Sequence, residues 1–165
     1  APGKGSTFQL TIPIAQQGQD AKPSAFSDKR TRAHSRELWP RLDGVRLLLA
    51  EDNLDNQELI KRILVEQGAQ VELANNGQEA LDKALSGSFH TILMDIQMPK
   101  MDGYEVTERL RKSDVKTPII ALTAHAMSDE REKCLRKGCN EFLVKPLDFA
   151  RLIQIVFEQI KAVKR

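Results

Sequence analysis

The stretch HTILMDIQMPKMDG, residues 90–103, places the carboxylate of Asp95 directly behind a short apolar run and ahead of a proline. A continuous apolar run of this length, bounded by turn residues, is typical of a strand that is buried on both faces. A single Asp after such a strand can simply cap a turn. Its role therefore depends on which other residues reach the same point.

Residues 90–103 belong to a regular alternation that begins at Val45. The strand-like runs VRLLLA, AQVELA, HTILMD, TPIIALTA and EFLVKP alternate with segments of helical periodicity, the last of which runs from about Phe149 to Val163. Strands that alternate with helices indicate a parallel sheet covered on both faces. The sequence therefore predicts a doubly wound α/β fold with a five-stranded parallel sheet and five helices.

Apolar side chains at helical spacing predict which face of each helix is buried. In the first helix these are Leu59, Ile60, Ile63 and Leu64, with Gly68 as the expected C-cap. The corresponding residues of the second helix are Ala80, Leu81, Ala84 and Leu85. Those of the last helix are Leu152, Ile153, Val156 and Ile160.

Composition and charge exclude several classes of protein. No apolar run approaches the roughly 18 to 20 residues that cross a bilayer. Residues 45–165 carry 18 Lys and Arg against 19 Asp and Glu, so the α/β part lacks the basic surplus of a nucleic-acid-binding domain. Two cysteines, Cys134 and Cys139, are too few for a disulfide scaffold and are expected to be reduced thiols.

Carboxylate, hydroxyl or ammonium side chains follow four of the five predicted strands at their C-terminal ends. Glu51 and Asp52 follow the first strand, Asp95 the third, Thr123 the fourth and Lys145 the fifth. Doubly wound sheets bind ligands at this edge. Clustered carboxylates suit Mg²⁺, and a lysine and a hydroxyl suit phosphoryl oxygens. The pattern predicts magnesium-dependent phosphoryl chemistry with Asp95 as the nucleophile.

Two other classes of α/β protein fit the sequence less well. A phosphohydrolase of the haloacid-dehalogenase type needs a second Asp two residues after the nucleophile, where this chain has Gln97. A flavodoxin-type module needs a loop rich in Ser and Thr after the first strand. The acidic EDNLDN at residues 51–56 would instead repel a phosphate in the absence of a metal ion.

The motifs LLLAEDN, MDIQMPKMDG, ALTA and FLVKP together resemble the receiver domain of two-component signalling, from residue 45 to about 163. This resemblance implies the strand order 2-1-3-4-5 and identifies Asp95 as an acceptor of a phosphoryl group from phosphohistidine. It implies that Mg²⁺ binds Glu51, Asp52, Asp95 and the backbone carbonyl of Gln97. Thr123 and Lys145 are then expected to bind the phosphoryl oxygens.

Further roles are implied by the same resemblance. Thr123 and Phe142 are the expected switch residues, Gln97 and His125 are expected to tune the lifetime of the phosphoryl group, and Lys145–Pro146 is a candidate cis peptide. The domain would catalyse its own phosphorylation and dephosphorylation. The alternative is a degenerate receiver that acts only as a protein-interaction module. The presence of all five signature residues argues against this alternative.

The resemblance also implies the setting of the domain. The expected partners are a histidine-kinase dimerisation domain carrying the phosphohistidine and a histidine phosphotransfer protein, with no nucleic acid and no membrane contact by this fragment. The expected location is the cytoplasm, as part of a parent protein-histidine kinase that can itself be membrane-bound.

The first 44 residues predict two further segments. GKGSTFQLTIPI, residues 3–14, is not a P-loop, because Lys4 is followed by Gly rather than Ser or Thr. It resembles the glycine box and final strand of the ATP-binding domain of sensor histidine kinases. We therefore expect an ATP-binding remnant at residues 1–14, a flexible linker at 15–44 and the receiver at 45–165, as in a fragment of a hybrid histidine kinase.

Overall fold

The computed structural model describes residues 39–125 and 128–163, so the predicted remnant at 1–14 and residues 15–38 of the predicted linker lie outside the described residues. Strands and helices alternate along the described chain as the sequence predicts. In chain order they are β1 (Arg46–Ala50), α1 (Leu54–Glu66), β2 (Gln70–Ala74), α2 (Gly77–Ser86), β3 (Thr91–Asp95), α3 (Gly103–Lys112), β4 (Ile119–Thr123), α4 (Ser128–Lys137), β5 (Glu141–Val144) and α5 (Phe149–Val163).

The five strands form one parallel sheet in the order β2-β1-β3-β4-β5. This confirms the predicted fold class and strand order. Every residue of β3 and β4, two of the three inner strands, is buried, which explains why their sequences are unbroken apolar runs rather than alternating ones. The register pairs Ala50 with Met94 and Asp95 with Leu122, so the ends of β1, β3 and β4 lie side by side.

The sheet separates two hydrophobic cores. The face covered by α1 and α5 contains the buried residues Ile60, Ile63, Leu64, Leu152, Ile153, Val156 and Ile160. The other face is covered by α2, α3 and α4, and contains Ala80, Leu81, Ala84, Val106, Leu110 and Cys134. None of the helices among the described residues is long and apolar enough to cross a membrane.

Helix α1 begins and ends with residues that satisfy its free backbone groups. The Asn53 side chain caps its start by accepting the backbone N–H of Asn56 at 3.0 Å. Gly68, just past the last turn, has a φ of +97°, a left-handed conformation that favours glycine and that confirms the predicted end of the helix. The buried stripe also follows the prediction except at Leu59, which is 46% exposed.

Leu85 is a second exception to the predicted helix faces. It was expected on the buried stripe of α2, but it is 50% exposed. It lies near the end of the ten-residue helix, where Ser86 and Gly87 are also exposed. The stripe of α2 is therefore formed by its three smaller or more central apolar residues.

The packed domain begins before Val45, where the sequence placed its boundary. Leu42 is fully buried in the core beneath α1, and its backbone N–H donates to the carbonyl of Gln67 at 2.8 Å. The Arg41 guanidinium donates to the carbonyl of Glu66 at 3.0 Å. The end of the predicted linker is thus part of the fold, because one large apolar side chain anchors it.

Candidate functional site

Three carboxylates meet at the C-terminal edge of the sheet. Glu51 and Asp52 follow β1, Asp95 ends the neighbouring strand β3, and one oxygen from each lies within 4.8 Å of the others. Glu51 is 1% exposed and Asp95 is 4% exposed, whereas Asp52 faces solvent. The structure therefore brings together the three acidic residues that the sequence identified.

Lys145 lies between the two buried carboxylates. Its Nζ donates to Oδ2 of Asp95 at 2.6 Å and to Oε2 of Glu51 at 2.7 Å. Burial acts to lower the pKa of this ammonium, but its hydrogen bonds to Asp95 and Glu51 outweigh burial and raise the pKa above that of an ordinary lysine. The two carboxylates thus favour the charged form of Lys145, whose peptide bond to Pro146 is cis, as predicted.

The Asp95 carboxyl is held at both oxygens. Oδ2 accepts from Lys145, and Oδ1 accepts the backbone N–H of Gln97 at 3.0 Å. Burial raises the pKa of this carboxyl; Lys145 and Gln97 oppose that effect, the negative charge of Glu51 adds to it, and the net result is a pKa above the ordinary value for aspartate. A cation near Asp95 would therefore favour its charged form.

Glycine is required where α3 approaches the end of β3. A Cβ on Gly103 would lie 2.3 Å from the carbonyl oxygen of Asp95, a separation that no side chain tolerates. The backbone N–H of Gly103 donates to the carbonyl of Ile96 at 3.0 Å. The turn after the candidate nucleophile is therefore closed tightly by backbone contacts.

Thr123 and Lys145 are joined through the backbone at the tips of β4 and β5. The N–H of Lys145 donates to the carbonyl of Thr123 at 2.7 Å. The Thr123 hydroxyl accepts the N–H of His125 at 3.1 Å, and the His125 side chain is exposed. Phe142 is half-buried against the core beneath α2, α3 and α4. The expected switching and tuning roles of these residues, and of Gln97, stay predictions.

Sequence reasoning missed the residues of α1 that hold Glu51. The Asn56 amide donates to Oε1 of Glu51 at 3.1 Å, and the buried Gln57 amide donates to the Glu51 carbonyl and to Oδ1 of Asn75. The only signal in the sequence is two amides in the first turn of the helix that follows the acidic pair. Amides are common at helix starts, so this signal is not specific.

The donor set of the site fits Mg²⁺. Three carboxylates and one ammonium leave a formal charge of −2, with all four groups close together. Carboxylate and carbonyl oxygens are the hard ligands that Mg²⁺ prefers, and Mg²⁺ commonly uses only one or two carboxylates while it keeps several waters. The exposed Asp52 and the surface position of Gln97 give such an ion access from solvent.

An apolar groove opens beside Lys145. It has a volume of about 440 Å³ and lies between α1 and the loop that joins β5 to α5. Leu59 belongs to its wall, which explains why this leucine of the helical stripe is exposed. The full lining consists of Asn56, Leu59, Ile60, Lys145, Pro146, Leu147 and Phe149.

Comparison with known proteins connects this site to one family. The family model described as the response regulator receiver domain matches residues 47–157. The chain belongs to this family. All three carboxylates, Thr123 and Lys145 of the receiver lie within the matched range.

The similar proteins include hybrid kinases. The receiver is 44% identical over 117 residues to hybrid signal transduction histidine kinase M of Dictyostelium discoideum. This match covers 67% of this chain and 5% of that protein. The chain as a whole is 35% identical over 167 residues to sensor histidine kinase GacS of Pseudomonas protegens, and this match covers 92% of this chain and 18% of that protein. The chain thus spans less than a fifth of the length of either relative.

Two solved structures are informative neighbours. The receiver domain of sensor histidine kinase PA1611 from Pseudomonas aeruginosa, with a magnesium ion coordinated in its active-site cleft, matches with a TM-score of 0.67 and 39% identity, over 72% of this chain and 98% of that one. The complex of the Saccharomyces cerevisiae phosphotransfer protein Ypd1 with the receiver domain of Ssk1 matches with a TM-score of 0.68 and 30% identity, over 74% and 90% of the respective chains.

Proposed function

We propose that this receiver accepts a phosphoryl group from a phosphohistidine onto Asp95 in a magnesium-dependent reaction and changes conformation to pass on the signal. The observation that carries the proposal is the placement of the Lys145 ammonium within 2.7 Å of both Glu51 and Asp95, beside a third carboxylate. A structural ion pair needs one acid for one base. The surplus of acid at this site is suited to a divalent cation.

The reaction transfers a phosphoryl group from an imidazole nitrogen of the donor to a carboxylate oxygen of Asp95. An oxygen of the Asp95 carboxylate forms a bond to phosphorus while the phosphorus–nitrogen bond of the donor breaks, and its electron pair remains on the imidazole, which takes up a proton. The nucleophile must be the charged carboxylate, and the burial that raises the pKa of Asp95 acts against that form. Mg²⁺ bound by Glu51, Asp52, Asp95 and the Gln97 carbonyl would supply the positive charge that stabilises both the carboxylate and the phosphoryl oxygens.

Lys145 and Thr123 would hold the transferred group. The ammonium contacts Oδ2 of Asp95, so it would lie close to the oxygens of a phosphoryl group on this carboxylate. Thr123 is 1% exposed at the neighbouring strand tip, and its hydroxyl is able to donate to one of these oxygens. In the unphosphorylated domain the same hydroxyl accepts the N–H of His125, so the loop after β4 is tied to the site.

The proposed switch is the breaking or forming of the hydrogen bond from the N–H of His125 to the Thr123 hydroxyl. A phosphoryl group adds charge and strong acceptors, and these can bias an element with two arrangements. Movement of Thr123 toward the group would free the loop before α4, and Phe142 would turn into the released space. Gln97 and His125 flank the site and would set how easily water reaches the phosphoryl group.

The groove beside Lys145 is the proposed docking site for the donor. A donor has to bring its imidazole to Asp95 from the solvent side, and the groove next to it has a volume of about 440 Å³ and a mainly apolar lining. Leu54 is 70% exposed and Leu59 is 46% exposed on the same helix. The similar Ssk1 receiver has been crystallised with a histidine phosphotransfer protein. We propose a donor of this kind, or the dimerisation domain of a parent protein-histidine kinase, both in the cytoplasm.

The test is intact-mass spectrometry after incubation with acetyl phosphate, with Mg²⁺ and with EDTA. We expect a single phosphoryl adduct that requires Mg²⁺ and is absent from Asp95→Asn. Glu141→Gln, a half-buried acid on β5 outside the acidic cluster, is the control and should keep the adduct. An adduct that survives in Asp95→Asn would show that the phosphoacceptor is a residue other than Asp95. A folded, magnesium-binding protein that forms no adduct with either acetyl phosphate or a phosphorylated phosphotransfer protein would favour a module that acts only by protein interaction.

A further inference from the structure

The first turn of α1 holds Glu51 through both its main chain and its side chain. The Gln57 amide donates to the Glu51 carbonyl, and the Asn56 amide donates to Oε1 of the carboxylate at 3.1 Å. The other oxygen, Oε2, accepts from Lys145 at 2.7 Å. Both oxygens of this 1% exposed carboxylate are therefore occupied by a donor from a different element.

Asn56 has a fixed backbone from which to hold this contact. It is the third residue of α1, and its N–H is bonded to the capping side chain of Asn53 at 3.0 Å. In a capping box, the side chain at this position reaches back to the N–H of the cap residue. Here the Asn56 amide reaches past the cap to Glu51 instead. Its short side chain has few rotatable bonds, so holding it in one orientation costs little entropy.

The two donors to Glu51 differ in how long they remain available. Lys145 is shared with Asp95, and under the proposed function it turns toward the phosphoryl oxygens once Asp95 is modified. Within residues 39–125 and 128–163, the Asn56 amide donates to Glu51 and has no hydrogen bond to Asp95. After transfer, Asn56 is the side-chain donor that still fixes the direction of the Glu51 carboxylate.

We propose that Asn56 is a positioning residue for magnesium binding, which orients the Glu51 carboxylate toward the ion. The inference rests on the proposed magnesium site but not on phosphorylation. It assigns to the first turn of α1 a direct effect on the affinity for the metal. Residues that hold metal-ligating carboxylates typically change metal affinity by about 10- to 100-fold when they are removed.

The experiment is a calorimetric titration of the whole chain with Mg²⁺ alone. We expect Asn56→Ala to raise the dissociation constant about tenfold, at the low end of that range because Asn56 is only half-buried. The matched control is Gln154→Ala, which removes an amide that donates to Oε1 of Glu158 at 2.7 Å on α5. This control should leave the dissociation constant unchanged. Asn56→Leu, a side chain of similar size without a donor, repeats the test if the alanine variant is poorly folded in urea titrations.

A double-mutant cycle separates positioning from a general structural effect. If Asn56 acts through the Glu51 carboxylate, Asn56→Ala should have no further effect on magnesium affinity in a Glu51→Gln background. A dissociation constant within twofold of the wild-type value for Asn56→Ala, the same loss in both backgrounds, or no magnesium binding by the wild type would overturn the inference. A wild-type protein that binds Mg²⁺ but accepts no phosphoryl group would refute the proposed function. The role of Asn56 would then still be decided by the magnesium titrations.

Discussion

Removing the Lys145 ammonium should destabilise the domain in a manner that depends on pH. Its Nζ lies 2.6 Å from Asp95 and 2.7 Å from Glu51, so Lys145→Met leaves two buried carboxylates beside each other without their cation. Breaking a buried ion pair by removing one partner typically costs about 3–5 kcal/mol. The cost has an upper limit, however, because one of the two carboxyl groups can take up a proton.

That limit follows from the ordinary pKa of a carboxyl group. Protonating a group of pKa near 4 costs about 1.4 kcal/mol per pH unit, or about 4 kcal/mol at pH 7 and about 1.5 kcal/mol at pH 5. Burial already raises the pKa of Asp95, and loss of Lys145 raises it further. A group with a raised folded-state pKa destabilises the fold only above its unfolded pKa, so the loss grows as the pH rises from about 4.

The assay is urea unfolding followed by circular dichroism at pH 5 and pH 7 in EDTA. We expect Lys145→Met to lower the free energy of unfolding by about 3–4 kcal/mol at pH 7 and by about 1–2 kcal/mol at pH 5. Lys137→Met is the control, since it breaks a pair with Glu108 whose side chains are 35% and 40% exposed, and it should cost less than about 1 kcal/mol. A loss below 1 kcal/mol for Lys145→Met, or one that is equal at both pH values, would refute the reasoning.

Three further substitutions test other parts of the fold. Asp95→Asn should raise the free energy of unfolding at pH 7, because a carboxyl with an elevated pKa is destabilising when charged; a lower value in urea would contradict this. Glu79→Gln should cost about 1 kcal/mol at pH 7, since Lys83 and the N–H of Asn75 lower the Glu79 pKa to about 2 and both members of the ion pair are 30% exposed. That loss should disappear as the pH falls from about 4.5 to 2. A constant difference in stability between the wild type and Glu79→Gln over this pH range would contradict the prediction. Gly103→Ala should cost about 2–3 kcal/mol in thermal or urea unfolding, because its Cβ meets the backbone of Asp95; unchanged stability would show that the turn can open.

The fold could be predicted because the central strands β3 and β4 are buried on both faces. This burial makes the strands continuous apolar runs, and the amphipathic helices between them differ clearly in period. The predicted α5 has the observed bounds, and its four apolar residues are all buried. The predictions of burial fail where the local sequence pattern does not show which other parts of the fold contact the residue. Leu59 fits the stripe of α1 but lies in the groove, and Leu42 follows a polar segment but is fully buried.

The site was predictable to the extent that it consists of strand ends. Residues that end parallel strands must meet at one edge, so Asp95, Thr123 and Lys145 could be grouped without coordinates. The contact between Asn56 and Glu51 could not be found in this way. It depends on the orientation of one side chain in the first turn of a helix, and many helices begin with an asparagine for capping alone.

The division of the interior into two cores has a consequence for how many molecules the domain can contact at one time. The groove next to Lys145 belongs to the face of α1 and α5, whereas Tyr104 of α3 bonds Glu130 of α4 on the opposite face. The groove and the α3 and α4 surface therefore lie on opposite faces of the sheet. Under the proposed function, a donor in the groove and a protein that recognises the α3 and α4 surface would contact different faces of the domain.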